Sequence, residues 1–428
     1  MLMSDAKQRI KSLFFNNKKV LENYFFMTIL QILNSLFYLL IYPYLIRVLG
    51  AENYGLYVFA FSIVTYFITF IDFGFDLPGV KKIAQNLQDS NVKKDVLSGI
   101  FTAKIYMEII SFIIFSSIVF AVPSMRSNWL LFFICFTQTL TNILFPRWYF
   151  QGIQRMRVVT YIQLGFKLLS LPFIFLFVKQ RDDLLLYATI ISFFSILGAL
   201  TAFLIIRYKE NLIISLVPFA KVKKYVREAL PFFATNGLNV VKQQSAVVIL
   251  GGFFSMKDVA LYDLANKIFT VPTVLVASIN GALFPKIVGL KKNIAATVKK
   301  IIKIENIIGV AIVLFLIVTG NFIIKLMGGP DMSEAFPLLV ILSFGIFGQL
   351  TVGAIGYFIF IPSGNSVYIA KNQLVAFITF FVFAITGVLV SKSIWVVPLA
   401  LTLSGVSELI YSQMVVQNKK LLSKLEEM

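Results

Sequence analysis

Histidine is absent from this chain, cysteine occurs once, at Cys135, and charged residues make up only 14% of it. Without imidazole, histidine bases and histidine metal ligands are excluded. A single cysteine excludes an internal disulfide and any Cys-X-X-Cys centre. The charged fraction lies far below the roughly 25% of soluble domains. Glycine and proline, at 24 and 13 among 428 residues, are too sparse for a collagenous or disordered chain. No Gly-X4-Gly-Lys-Ser/Thr sequence occurs, which excludes a P-loop ATPase cassette. Asp72-Phe73-Gly74 spells a kinase metal motif without the other kinase loops and reads as coincidence. What is abundant is apolar: 58% hydrophobic residues, including 45 Phe. This is the composition of a chain that lives in a bilayer.

A helix needs about 20 mainly apolar residues to cross the hydrocarbon core. Twelve such runs can be read: Val20–Tyr44, Tyr54–Phe75, Val96–Val122, Trp129–Phe150, Val158–Val178 and Leu184–Ile206, then Ala229–Phe253, Val259–Leu283, Ile304–Met327, Ala335–Ile361, Tyr368–Val390 and Ile394–Val416. The basic opening, Met1 to Lys19, precedes an apolar run too long for a signal peptide, so an uncleaved first helix is expected. Of 39 Lys and Arg, 28 fall on the side that carries both termini, seven on the opposite side and four inside spans. Basic loops stay in the cytoplasm, so both termini are expected there. The net charge of +19 is therefore topological and suits anionic headgroups rather than nucleic acid.

The chain also repeats itself. Tyr54-Gly55-Leu56-Tyr57-Val58-Phe59-Ala60 aligns with Val259-Ala260-Leu261-Tyr262-Asp263-Leu264-Ala265 at an offset of 205 residues, and each copy opens the second helix of a half. A parallel repeat of six helices plus six follows. The expected divisions are 1–206 and 229–416 for the two bundles, 207–228 for a basic linker with room for a short surface helix, and 417–428 for a tail.

Helical geometry then places polar residues on faces. The first span carries Gln31, Asn34, Ser35, Tyr38 and Tyr42 within an arc of about 100°, and the second carries Ser62, Thr65, Tyr66, Thr69, Asp72 and Asp76. In the second half, Thr235, Asn236, Asn239, Lys242 and Gln243 share one face of the seventh span, and Asp263, Asn266, Lys267, Thr270 and Thr273 one face of the eighth. Four repeat-related stripes are satisfied by one central hydrated cavity, the alternative being private packing of each against its neighbours.

Intramembrane charges need partners or water. Lys104 with Glu108, and Asp263 with Lys267, are spaced to pair on their own helices. Lys242 has no opposite charge on its stripe, which leaves an anionic ligand or an ion pair with a residue such as Asp263. Lys167 beside Gln163 and Ser170, and Glu408 beside Ser404, Ser407 and Tyr411, extend the wet surface. Asp72 and Asp76, near a helix end, are expected to be solvated.

At Leu45-Ile46-Arg47-Val48-Leu49-Gly50, Tyr54-Gly55-Leu56-Tyr57, Asp72-Phe73-Gly74-Phe75 and Pro146-Arg147-Trp148-Tyr149-Phe150-Gln151-Gly152, the chain resembles the polysaccharide transporter family, the Wzx-type O-antigen flippases. That family belongs to the multidrug/oligosaccharidyl-lipid/polysaccharide (MOP) exporter superfamily. The resemblance implies an all-α integral membrane protein with two pseudo-symmetric six-helix bundles around a central V-shaped cavity, as in MATE-like transporters. It implies transfer of an undecaprenyl-diphosphate-linked oligosaccharide from the cytoplasmic to the outer leaflet of a bacterial plasma membrane. Under it, Lys242, Lys267, Lys104 and Lys167 would contact the diphosphate, and Asn34, Tyr38, Asn236, Asn239 and Gln243 would line the wet path. Asp263, Glu108 and Glu408 would couple transport to a proton or sodium gradient, with no metal centre or organic cofactor. Arg47 and Arg147 match motif positions and read as interface residues. The implied partners are the bilayer and the polysaccharide polymerase and chain-length machinery. The alternatives are a multidrug or cation antiporter of the same superfamily, which would favour an acidic cavity, and a non-transporting scaffold of the assembly machinery.

Overall fold

The structure is a computed structural model that describes residues 18–288 and 293–427. The basic opening stretch, residues 1–17, and Lys291 and Lys292 lie outside the described residues. Every regular element among the described residues is helical. In chain order they are α1 (Lys18–Asp72), α2 (Asp76–Gln85), α3 (Ser90–Ala121), α4 (Pro123–Arg126), α5 (Trp129–Phe136), α6 (Thr139–Leu144), α7 (Arg147–Gly152), α8 (Met156–Phe177) and α9 (Leu184–Tyr208). The second half contains α10 (Phe219–Phe253), α11 (Met256–Val288), α12 (Ile294–Gly328), α13 (Ala335–Ser343), α14 (Gly345–Ile355), α15 (Val367–Ser391), α16 (Val396–Asn418) and α17 (Leu421–Glu427).

Ten helical segments among the described residues are long and apolar enough to cross a bilayer, and the first of them runs over 61 residues, Phe25–Gln85. That length is about three times what one crossing requires. The chain breaks within it at Gly50, whose φ of 79° is the left-handed backbone that glycine adopts without a Cβ penalty, so α1 supplies two spans. α10 contains the seventh expected run and is 35 residues long, but it falls outside these ten because Lys223, Lys224, Asn236, Asn239, Lys242 and Gln243 lower its hydropathy. With α1 counted twice and α10 included, the chain makes twelve crossings in two six-helix bundles.

Residues 211–218 carry no regular secondary structure and are bound to the first bundle, where Ser215 N–H donates to Ser98 Oγ (3.1 Å) and Val217 N–H to Thr102 Oγ1 (3.2 Å). The short surface helix expected here is instead the opening of α10, continuous with the seventh span. Its Val222, Tyr225 and Ala229 are buried in the first bundle's core because each falls on the apolar side of a basic turn.

The arrangement of the cores decides the shape. Many basic residues, among them Lys82, Lys93, Arg155 and Lys221, lie at one end of the molecule, the basic end. There the halves keep separate cores: Leu30, Val96, Trp148, Ile206 and Val222 in the first, and Ile287, Val298, Phe358, Val416 and Leu421 in the second. At the opposite end a single core holds Leu45, Leu49 and Tyr54 together with Val259, Leu264 and Met327. Close approach across that end depends on glycine. A Cβ on Gly55 would fall 1.8 Å from the Met256 carbonyl oxygen, and one on Gly251 would fall 2.3 Å from the Phe59 ring. The bundles thus diverge toward the basic end, enclosing a V.

Candidate functional site: a divided polar cavity

The kinks that shape the cavity follow from local chemistry. Pro146 has no N–H and ends α6, so the Asn142 carbonyl loses its helical donor. The Lys104 ammonium takes that carbonyl at 3.1 Å and the Asp72 carboxylate at 2.6 Å. A parallel case is the break between α13 and α14, where the Ile341 carbonyl accepts from Thr402 Oγ1 (2.9 Å).

The larger cavity, about 700 Å³, lies between the two halves. α1 contributes Asn34, Tyr38 and Tyr54, α7 contributes Arg147, α8 contributes Lys167, and α11 contributes Asp263, Asn266 and Lys267. Lys167 Nζ donates to Asn34 Oδ1 (2.9 Å), and no carboxylate pairs with it among the described residues. Its ammonium sits 4.3 Å from the centre of the Tyr38 ring, and that of Lys267 sits 5.1 Å from the same ring. One aromatic face region therefore gathers a cation from each half. Lys267 also holds Asp263 at 2.5 Å, and Asp263 accepts from the Tyr54 hydroxyl of the other half at 2.9 Å. Tyr42 adds a second bond across the closed end, donating to the Ala260 carbonyl (3.1 Å).

A smaller cavity of about 380 Å³ lies within the second half and shares Gln243 and Asn266 with the first. Lys242 and Glu408 line it and bond to each other at 2.7 Å, both nearly buried.

The expected site residues thus divide. Asn34, Tyr38, Lys167, Asp263 and Lys267 line the larger cavity, Asn239, Lys242 and Glu408 the smaller, and Gln243 both. Lys104, Glu108 and Asn236 line neither. Three pairing expectations are corrected. Lys104 pairs with Asp72 rather than with Glu108, because the carbonyl freed by Pro146 draws its ammonium toward the α1–α6 junction. Glu108 instead accepts from Thr139 Oγ1 at 2.7 Å, and Asp72 is an ion-pair partner rather than a solvated end residue. Lys242 is not unpaired: its partner lies on α16, not on its own stripe or on the eighth span. The i,i+4 pair of Asp263 and Lys267 forms as spaced. Arg47 does sit at the interface, donating to the Leu326 carbonyl (3.1 Å), whereas Arg147 faces the larger cavity.

Sequence reasoning missed Asn280, Gln349 and Gln373. Asn280 was within reach, since the stripe of Asn266, Thr270, Thr273 continues at helical spacing through Ala277 to it. Gln349 has only Thr351 as a polar companion in its helix, and Gln373 follows Lys371 and Asn372 without a stripe at helical spacing, so neither carries a periodic signal.

Residues 20–291 match a family model described as "Polysaccharide biosynthesis protein". A protein of Escherichia coli strain K12, named "Putative O-antigen transporter", is 24% identical over 332 residues, covering 77% of this chain and 80% of that protein. A Shigella dysenteriae protein of the same name is 24% identical over 320 residues, covering 70% of this chain and 76% of that protein. Among solved structures, "Lipid II flippase MurJ, inward closed conformation" aligns with a TM-score of 0.69 at 13% identity, over 95% of this chain and 89% of that one. An inward-facing multidrug resistance MATE family transporter of the MOP superfamily aligns with a TM-score of 0.60 at 14% identity, over 92% and 96%. At these identities the solved structures speak to the fold alone.

Proposed function

The chain belongs to the polysaccharide biosynthesis protein family, and from that premise we propose that it flips an undecaprenyl-diphosphate-linked oligosaccharide across the bacterial plasma membrane. The observation that carries this reading is the pair of ammonium groups, Lys167 and Lys267, facing one tyrosine in a polar cavity that widens toward the basic end. A diphosphate is drawn to such paired cations in a low-dielectric surround. The basic end would face the cytoplasm, where positive loops are retained. The twelve crossings and the curated relatives support a multi-pass transporter rather than an enzyme.

The geometry also suggests how substrate and gate communicate. A diphosphate arriving at Lys267 competes with Asp263 for the same ammonium. Asp263, released from Lys267, is left as an uncompensated carboxylate. Entry of a proton or sodium ion would neutralise it, so that it holds Tyr54 less firmly and the joint core at the opposite end loosens, which gives Asp263 the coupling role. Residues 1–206 and 229–416 would then rock about the segment 207–228, and the product would pass to the polymerase and chain-length machinery. A drug or cation antiporter fits less well, since among the described residues Asp263 is the one carboxylate lining the larger cavity and it is already paired.

The test is the sidedness of lipid-linked repeat units in cells with and without the protein. Accumulation on the cytoplasmic leaflet, reversed by complementation, is expected. Unchanged intermediates would overturn the flippase reading, and retained surface assembly with no translocation in purified vesicles would favour a scaffold.

A further inference from the structure

We propose that the smaller cavity is a subsite for uncharged sugar, and that it selects the headgroup the protein accepts. This rests on the flippase reading and adds to it a second, chemically distinct compartment.

The smaller cavity is lined by two ionic groups, Lys242 and Glu408, and they neutralise each other at 2.7 Å. A diphosphate finds no free cation there, and a hard cation finds no free carboxylate. The larger cavity holds Lys167, which no carboxylate pairs among the described residues, and so offers an anion a free cation.

Six carboxamides line the smaller cavity: Asn239, Gln243, Asn266, Asn280, Gln349 and Gln373. Each amide carries both donors and an acceptor, as each sugar hydroxyl both donates and accepts. Phe269 and Tyr357 supply apolar faces of the kind that cover a sugar ring.

Gln243 and Asn266 border both cavities, so a molecule anchored by its diphosphate at Lys267 can extend its sugars directly into the amide-lined compartment.

The experiment is calorimetric binding to the purified full-length chain in detergent. Three probes are compared: a short-chain polyprenyl diphosphate, the same carrier bearing a neutral N-acetylhexosamine disaccharide, and the same bearing a disaccharide with a uronic acid. The neutral disaccharide probe is expected to bind at least tenfold tighter than the bare carrier, and the uronate probe no tighter than the bare carrier. Gln373→Leu and, separately, Gln349→Met should each remove most of the tenfold gain while the bare carrier binds as before, which also reports that the variant is folded. Lys167→Met should weaken all three probes alike. A gain for neutral sugar that survives both glutamine variants would overturn the subsite, as would equal binding of the neutral and uronate probes. If the unmodified protein bound no diphosphate probe at all, the flippase reading itself would fall, and the subsite with it.

Discussion

The two ends of this molecule both have apolar cores, but those cores are divided differently between the halves. At the end away from the basic loops, Tyr54, Val259 and Met327 share one core, and glycines let the halves close up, Gly55 against the Met256 carbonyl and Gly251 against the Phe59 ring. At the basic end each half closes its own core, and the bonds that reach α10, such as Lys82–Glu228 and Tyr225–Asp95, tie it to the first half. The difference teaches that composition does not place a gate. What closes one end is the absence of side chains at Gly55 and Gly251, where any Cβ would hold the halves apart.

The largest effect is expected inside the second half, where it should leave the contrast between the ends intact. Lys242→Met alone strands the buried Glu408 and should cost about 3–5 kcal/mol, whereas Lys242→Met with Glu408→Met should restore most of that. Thermal unfolding in detergent reads both. The double variant remaining as unstable as the single one would show that the pair does more than neutralise itself. For the same reason, loss of transport in a Lys242→Ala variant would report an abandoned carboxylate as readily as a lost ligand contact.

Gly55→Leu strikes the closed end itself. Overpacking against the Met256 carbonyl should cost about 1–3 kcal/mol and drive the halves apart there. With Cys135→Ala and Thr65→Cys as background, an impermeant maleimide applied from that side should label the cavity faster than in the Gly55 protein. Unchanged labelling would mean that the joint core is not the barrier.

Tyr54→Phe is milder, since Asp263 keeps Lys267. Loss of one buried hydrogen bond to a charged group, about 1.5 kcal/mol, should raise the same labelling rate roughly tenfold. The smallest effect belongs to the basic end: Lys82→Ala removes a partly exposed ion pair and should change stability by about 0.2–1 kcal/mol, with no labelling change from the opposite side.

Much of the fold was legible in sequence because each span is a local property, a run of apolar residues bounded by breaks. The twelve runs read from the sequence all return as crossings, the first two joined through the break at Gly50 and the seventh carried by α10 in spite of its polar stripe. The larger cavity was legible for a related reason, since Asn34, Tyr38, Asp263 and Lys267 sit on stripes visible at helical spacing. The ion pairs were legible only where they stay on one helix. Asp263 and Lys267 are four residues apart, but Lys104 meets Asp72 across 32 positions and Lys242 meets Glu408 across 166. No periodicity links residues on different helices.

By itself, then, the amino-acid sequence determined that the chain enters a bilayer, how often it crosses, and which helix faces are polar, because the cost of burying backbone and charge in hydrocarbon is settled residue by residue. Only the tertiary structure decided which carboxylate meets which lysine, which end of the V is shut, and that the polar space is divided in two. Those depend on how closely helices distant in sequence approach, and that distance is set by packing: a glycine under a carbonyl, or a proline that frees one.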